Sequence, residues 1–297
     1  MEKFKYVDLV EEGDTAGTRY LKPLESDDPW DLRFELVDSA ALGPVQYAAI
    51  SYTWGAQPAT KTITVNGQIL LIRPNLFHCL FHIPLEARES QWKYLWVDAI
   101  CISQANLGER NKQVSRMGDI YREATVVYAW LGLRDPSDAY NIVTEIRRHT
   151  QEIIELPYWT RTWVMQELVL AKEVEVRWGA YTYDWQDFLQ MLHKSDEHSN
   201  GEPQSNWFSD LSTPRELIHH ANLPLYKLLV LSDNSTCEDR RDQVFALMGM
   251  LDEKEHRPLS RFFPDYGIVR IEPRSGSGDH SNTPDFWFLA SNHALAS

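Results

Sequence analysis

The sequence predicts an α/β fold: a three-layer domain on a mostly parallel sheet, with an inserted β-hairpin and an added C-terminal helical lobe. Two observations predict it. Near-continuous apolar runs of strand length occur at Val45–Tyr52, Tyr94–Ile102 and Thr125–Gly132, as expected of strands buried on both faces, and Glu173–Trp178 reads as a fourth strand. Between them, apolar residues recur at helical spacing, and strand–helix alternation implies parallel strands joined by helical crossovers.

Residues 1–44 are polar and acidic, with room for one or two short strands. "VQYAAISY" is the first buried strand, and "TWGAQP" breaks it. In "KTITVNGQILLI", Ile63 and Val65, then Ile69 and Leu71, alternate around Asn66-Gly67. That dipeptide between alternating strands signals a hairpin. A short helix follows, with Leu76, Phe77, Leu80 and Phe81 on one face. "YLWVDAICI" reads as a central strand, Gly108–Ala124 as an amphipathic helix and "TVVYAWLG" as the third strand. Asp135-Pro136 opens a helix to about Ile154, since proline suits the first helical turn. "EVEVRW" is the fourth strand. Helices at "WQDFLQMLHK", "PLYKLLVLS" and "RRDQVFALMGML" make the lobe, and "EPRSGSGDHSNTPD" has the composition of a loose tail.

Of the 297 residues, 43% are hydrophobic, enough to bury a large core. Twenty-nine basic against 43 acidic residues give a formal charge of −14, which argues against nucleic acid or an anionic membrane as partner. Cys79, Cys101 and Cys237 form no C-x-x-C pair, so neither a zinc site nor a disulfide framework is expected. No segment approaches a signal peptide or the roughly 18 apolar residues of a membrane helix. A soluble, cytoplasmic protein is expected.

In an open parallel sheet, ligands bind beyond the carboxyl ends of the strands. The informative residues are therefore Ser51, Tyr52, Trp54 and Gly55, then Asp98 and Cys101, and the segment carrying Arg161, Trp163 and Glu167. No glycine loop of the phosphate-cradling kinds is present. Ser51–Gly55 is either a simple turn or a pocket wall. Asp98 interrupts an apolar run and needs a partner, for which Arg110 and Arg161 are candidates; Cys101 reads as a packed thiol. His78 and His82 sit on a surface-type helix, which gives a Cys–His nucleophile pair little support.

Glu167 is the sharpest anomaly. From Trp163 to Ala171 the helix is apolar apart from Gln166 and Glu167, and at 100° per residue Glu167 lies inside the apolar arc. Such a carboxylate has a raised pKa unless a cation or hydrogen bonds hold it charged. It is either a buried ion-pair partner of Arg161 or Arg110, or a catalytic or ligand-binding group.

Four blocks in order, "YAAISYTWG", "LWVDAICISQ" with "ERNKQVSRMGDIYREATVVYAWLG", "WTRTWVMQE" and "DRRDQVFALMGM", resemble the fungal heterokaryon-incompatibility (HET) domain, from about Tyr47 to Leu251. The resemblance implies a HET domain over 45–266 between a leading segment (1–44) and a tail (267–297). It implies a fungal protein that triggers regulated cell death on non-self recognition, with a sensor or recognition partner and a homo-oligomer as expected partners. The HET domain is in turn similar to the Toll/interleukin receptor (TIR) domain, a flavodoxin-like fold, here spanning about 45–180 with the helical lobe at about 181–252. "YWTRTWVMQELV" resembles the TIR helix segment in which a Trp is followed four residues on by the catalytic Glu of NAD hydrolysis, which matches Glu167. The TIR block has a small residue or Cys where this chain has Val164. The resemblance implies NAD as substrate, with no metal and no further cofactor. Trp54 and Trp163 are then candidates to stack on a ring, and Arg110 and Arg161 to contact the pyrophosphate. The competing expectation is a non-enzymatic assembly module that recruits a death effector.

Overall fold

A computed structural model of the chain describes residues 2–9, 11–12, 15–42, 45–83, 92–134, 152–196, 223–261 and 264–267. Strands β1 (Glu11–Glu12) and β2 (Thr15–Ala16) pair by themselves. Among the described residues, nine further strands form one sheet. They are β3 (Arg19–Leu24), β4 (Arg33–Asp38), β5 (Tyr47–Tyr52), β6 (Lys61–Val65), β7 (Gln68–Ile72), β8 (Tyr94–Trp96), β9 (Val126–Trp130), β10 (Val174–Trp178) and β11 (Tyr181–Asp184). Their spatial order is β11-β10-β9-β5-β8-β3-β4-β6-β7.

The four strands expected in the parallel sheet are neighbours, and all three of their pairings are parallel. The sheet as a whole is mixed, which corrects the expectation of a mostly parallel one. β10–β11, β8–β3, β3–β4 and β6–β7 are antiparallel. Three of those four are hairpin partners joined by short connections, which cannot return a strand in parallel. β11 follows β10 after two residues, and the β6–β7 turn has φ of 50° at Asn66 and 74° at Gly67. Positive φ at both turn positions is what an Asn-Gly hairpin requires. This hairpin caps one edge of the sheet through β4.

The second expected strand is shorter than its apolar run. β8 stops at Trp96, and Asp98–Cys101 is a helical turn (α2). A buried strand and a buried helical turn share composition, so hydrophobicity alone does not separate them. Further helices among the described residues are α1 (Pro74–His82), α3 (Leu107–Glu123), α4 (Thr162–Val169), α5 (Trp185–Asp196), α6 (Leu225–Leu231), α7 (Asp242–Phe245) and α8 (Glu253–Leu259). The expected helix at "RRDQVFALMGML" is α7 followed by a 3-10 turn at Met248–Met250. Most of the helix expected over 135–154, and the tail beyond 267, lie outside the described residues. Among the described residues, no helix is long and apolar enough to cross a membrane.

The all-round apolarity of α4 has a direct cause. Val164, Leu168 and Ala171 join the main core, while Met165, Val169 and Leu170 join a second cluster with Leu228, Phe245, Leu247, Met250 and Leu251. Eight residues make a marginal helix in water, so this packing holds it. Each large apolar side chain so buried contributes about 1.5–3 kcal/mol. Glu167 is set between the two cores.

Candidate functional site

β5 carries the switch point of the parallel set: β8 lies on one side of it and β9 on the other. Residues just past such a strand face the crevice where ligands gather. Strand alternation puts Tyr47 and Ser51 on one face. Tyr47 donates to the Ile120 carbonyl of α3 at 2.6 Å, and Ser51 meets α4 and the 3-10 turn Pro157–Thr160.

Glu167 is 1% exposed. Its Oε2 accepts a hydrogen bond from the Ser51 hydroxyl and lies 3.8 Å from Nη1 of Arg161. The latter separation is an ion pair but too long for a hydrogen bond. Ser51 Oγ also lies 2.6 Å from the Tyr158 hydroxyl. Arg161 precedes α4, is half-buried, and donates from Nη1 to the Tyr52 carbonyl at 2.6 Å. At the rim, Trp54 Nε1 donates to Asp98 Oδ2 at 2.9 Å, while Ala99 N donates to Oδ1 at 2.7 Å. The loop bearing Trp54 is tied to α1: Asn75 donates to the Thr53 carbonyl at 2.6 Å, and Arg73 to the Gly55 carbonyl. Gly55 has φ of 75°, a conformation that costs glycine little.

The electrostatics follow from one cation among two carboxylates. Burial pushes the Glu167 carboxyl up to about 7, Arg161 and the Ser51 hydrogen bond pull it back, and Asp98 adds to the rise. Burial also raises Asp98 above the usual carboxylate range, with Arg161, Trp54 and the Ala99 N–H opposing. Burial works against the charge of Arg161, but Glu167 and Asp98 more than offset it, so its pKa is raised. Arg161 therefore stays charged while Glu167 titrates near neutrality.

Ser51, Tyr52, Trp54, Asp98, Arg161 and Glu167 thus converge, with Arg161 rather than Arg110 as the common cation. Gly55 shapes the loop. Trp163 is half-buried beside both cores and hydrogen-bonds Asp242. Arg110 is elsewhere: its guanidinium lies 4.1 Å from the centre of the Tyr266 ring. Cys101 is a core thiol; its Sγ accepts from Val97 N at 3.4 Å, and burial pushes its pKa up to about 12, so it is no nucleophile. Tyr158 carries no motif signal in the sequence beyond its place in an apolar segment, where a buried tyrosine needs a partner for its hydroxyl. Among the described residues, no cluster of acidic, His or Cys side chains suits a metal ion.

Residues 47–153 match the family described as Heterokaryon incompatibility protein (HET). The chain is also 27% identical over 253 residues to Heterokaryon incompatibility protein 6, OR allele, of Neurospora crassa. That alignment takes in 77% of this chain but only 36% of the Neurospora protein, so the chain spans about a third of its relative's length. No solved structure matches the chain. The family match includes Ser51, Trp54 and Asp98 and ends before Tyr158, Arg161 and Glu167.

Proposed function

We propose that this chain is a heterokaryon-incompatibility effector domain acting in regulated cell death, and that its chemistry is hydrolysis of NAD at the nicotinamide–ribose bond. The HET match and the Neurospora relative support the first part. The TIR resemblance of "YWTRTWVMQELV" and the state of Glu167 support the second. In this reading the domain works in the cytoplasm as an oligomer released by a recognition partner.

One observation carries the chemistry: Glu167 is buried, anchored through Oε2 alone, and makes no hydrogen bond through Oε1 among the described residues. A carboxylate beside the ribose stabilises an oxocarbenium-like transition state. The C1′–N bond breaks, its electron pair stays on nicotinamide, and nicotinamide leaves neutral. Water then adds to C1′, and Glu167 takes its proton. Arg161, at the half-buried rim, is the group suited to the pyrophosphate, and Trp54 the ring suited to stacking. Purified protein, incubated with NAD free and crosslinked, should release nicotinamide, with the rate rising through pH 7 as Glu167 ionises. Absence of nicotinamide from both samples would remove this reading.

A second reading also has an observation in its favour. With Glu167 1% exposed, its pairing with Arg161 is the arrangement of a structural ion pair. The domain would then recruit a death effector by contact alone. Wild-type killing with no loss of NAD, together with a Glu167→Gln variant that melts clearly lower because Arg161 is stranded, would select it; a variant that folds normally and still kills would defeat both readings.

A further inference from the structure

The Ser51 hydroxyl stands between two oxygens, Tyr158 Oη at 2.6 Å and Glu167 Oε2. It has one proton to give. An ionised Glu167 has none and takes it. The Tyr158 hydroxyl must then be the donor to Ser51, giving a one-way chain from Tyr158 through Ser51 to Glu167. Tyr158 is fixed independently of that chain: it is 1% exposed, and its ring meets Trp159 edge-on at 4.9 Å. Burial, with Glu167 adding to it, raises the Tyr158 hydroxyl far above its ordinary value, so it keeps its proton at any working pH.

We propose that Tyr158 is a positioning residue for Glu167, acting through Ser51: it orients the serine hydroxyl onto Oε2 and leaves Oε1 as the oxygen that meets the ribosyl cation. The part concerning the ribosyl cation rests on the NAD reading; the hydroxyl chain does not. Besides Ser51, four groups act on the field at Glu167. Arg161 comes from the start of α4, Asp98 from α2, Tyr121 from α3 and Tyr158 from the 3-10 turn. Arg161 holds its charge, the two tyrosines stay neutral, and Asp98 is the one other group that titrates. The Tyr121 hydroxyl is committed to the Ile50 carbonyl at 3.1 Å. Ser51 is left as the oriented donor to the carboxylate.

The test uses the full chain with Ser51→Ala, Tyr158→Phe and the pair together, each checked for native near-ultraviolet dichroism. The Glu167 carboxyl is followed by carbon-detected NMR across pH, its signal assigned by its loss in Glu167→Gln. Ser51→Ala should move the Glu167 midpoint upward by roughly one pH unit, tenfold in proton affinity, for one charge-assisted hydrogen bond. Tyr158→Phe should move it the same way by less, and should add nothing once Ser51 is alanine, because two residues in one chain are not additive. An unmoved midpoint in Tyr158→Phe, or an equal shift with and without Ser51, overturns the proposal. In the NAD assay, Tyr158→Phe should lower kcat about three- to tenfold with KM nearly unchanged, and shift the pH profile of kcat upward. An unchanged kcat with a shifted NMR midpoint would overturn the positioning role. A wild-type protein that releases no nicotinamide defeats the NAD reading, and the hydroxyl chain is then judged by the NMR midpoints alone.

Discussion

Replacing Glu167 with glutamine separates catalysis from architecture, and the structure sets the size of the effect. The Glu167 carboxyl stands at about 7 against an ordinary 4.5. Between those values the folded state holds a proton that the unfolded state has lost. The unfolded state binds fewer protons, so stability falls as pH rises through that window, and the cost is complete above pH 7. A difference of this size is worth about 3 kcal/mol. The opposing cost would be a stranded arginine, yet Arg161 keeps the Tyr52 carbonyl and the Asp98 carboxylate when Glu167 is neutral.

Glu167→Gln should therefore match the wild type near pH 4.5 and melt several degrees higher at pH 8, since a kcal/mol moves a chain of this size by about 2–4 °C. Scanning calorimetry or dichroism melts at pH 4.5, 6, 7 and 8 measure this, with NAD cleavage and cell killing followed in parallel and expected to be lost. A variant melting lower than wild type at pH 8 would refute the reasoning. It would mean that the carboxylate anchors Arg161, a loss that typically costs roughly 3–5 kcal/mol.

Three further outcomes are expected. In Gly249→Ala, the new Cβ meets the Gly118 backbone at 2.8 Å and the Gln166 side-chain oxygen; the variant should lose about 1–3 kcal/mol in urea unfolding, and a fully stable one would deny that this crossing is tight. Arg19 is 4% exposed, pairs with Glu109 and donates to the Val7 carbonyl at 2.6 Å. Arg19→Met should cost roughly 3–5 kcal/mol by urea titration, because it strands a buried carboxylate. At pH 7.5, maleimide should label Cys237, slowly because burial raises its thiol pKa, and should spare the buried Cys79 and Cys101 until the chain is denatured.

Most of the parallel centre of the sheet was legible because strands buried on both faces leave near-continuous apolar runs, as Tyr47–Tyr52 does with all six residues buried, whereas β10 alternates. On the antiparallel flank the Asn66-Gly67 hairpin was legible, but the place of β3 and β4 inside the sheet was not. In β3, "RYLKPL" contains a proline, which argues against an interior strand. Yet β8 meets β3 only at Leu21↔Leu95, so Pro23 has no ladder bond on that side to lose. The placement of Glu167 was legible from the helical wheel, and Arg161 was one of two arginines named for it. Arg110 was not separable from it in the sequence, since its partner Tyr266 lies more than 150 residues away. Ser51 was readable as a residue at the carboxyl end of a buried strand, but its bond to Tyr158 spans 107 positions and leaves no local pattern.

Helix α4 also shows why the C-terminal residues belong to the site's architecture. Two carboxylates and one arginine need fixed separations, and a short helix cannot supply them alone. The segment after 223 holds α4 at both ends. Thr236 bridges Arg161 as a parallel β-partner: its N–H donates to the Thr160 carbonyl at 2.5 Å, and its carbonyl accepts from Thr162 N at 3.1 Å. At the other end, Gly249 N donates to the Gln166 side chain at 2.9 Å, and Arg122 of α3 donates to the Gly249 carbonyl at 2.9 Å. A side chain at residue 249 would fill the space in which α3 and α4 approach it, which is the physical reason for glycine there. Arg161 sits at the first of these fixed points and Glu167 directly follows the second, so residues 223–251 set the geometry of a pair whose strand partners lie 109 and 116 positions earlier.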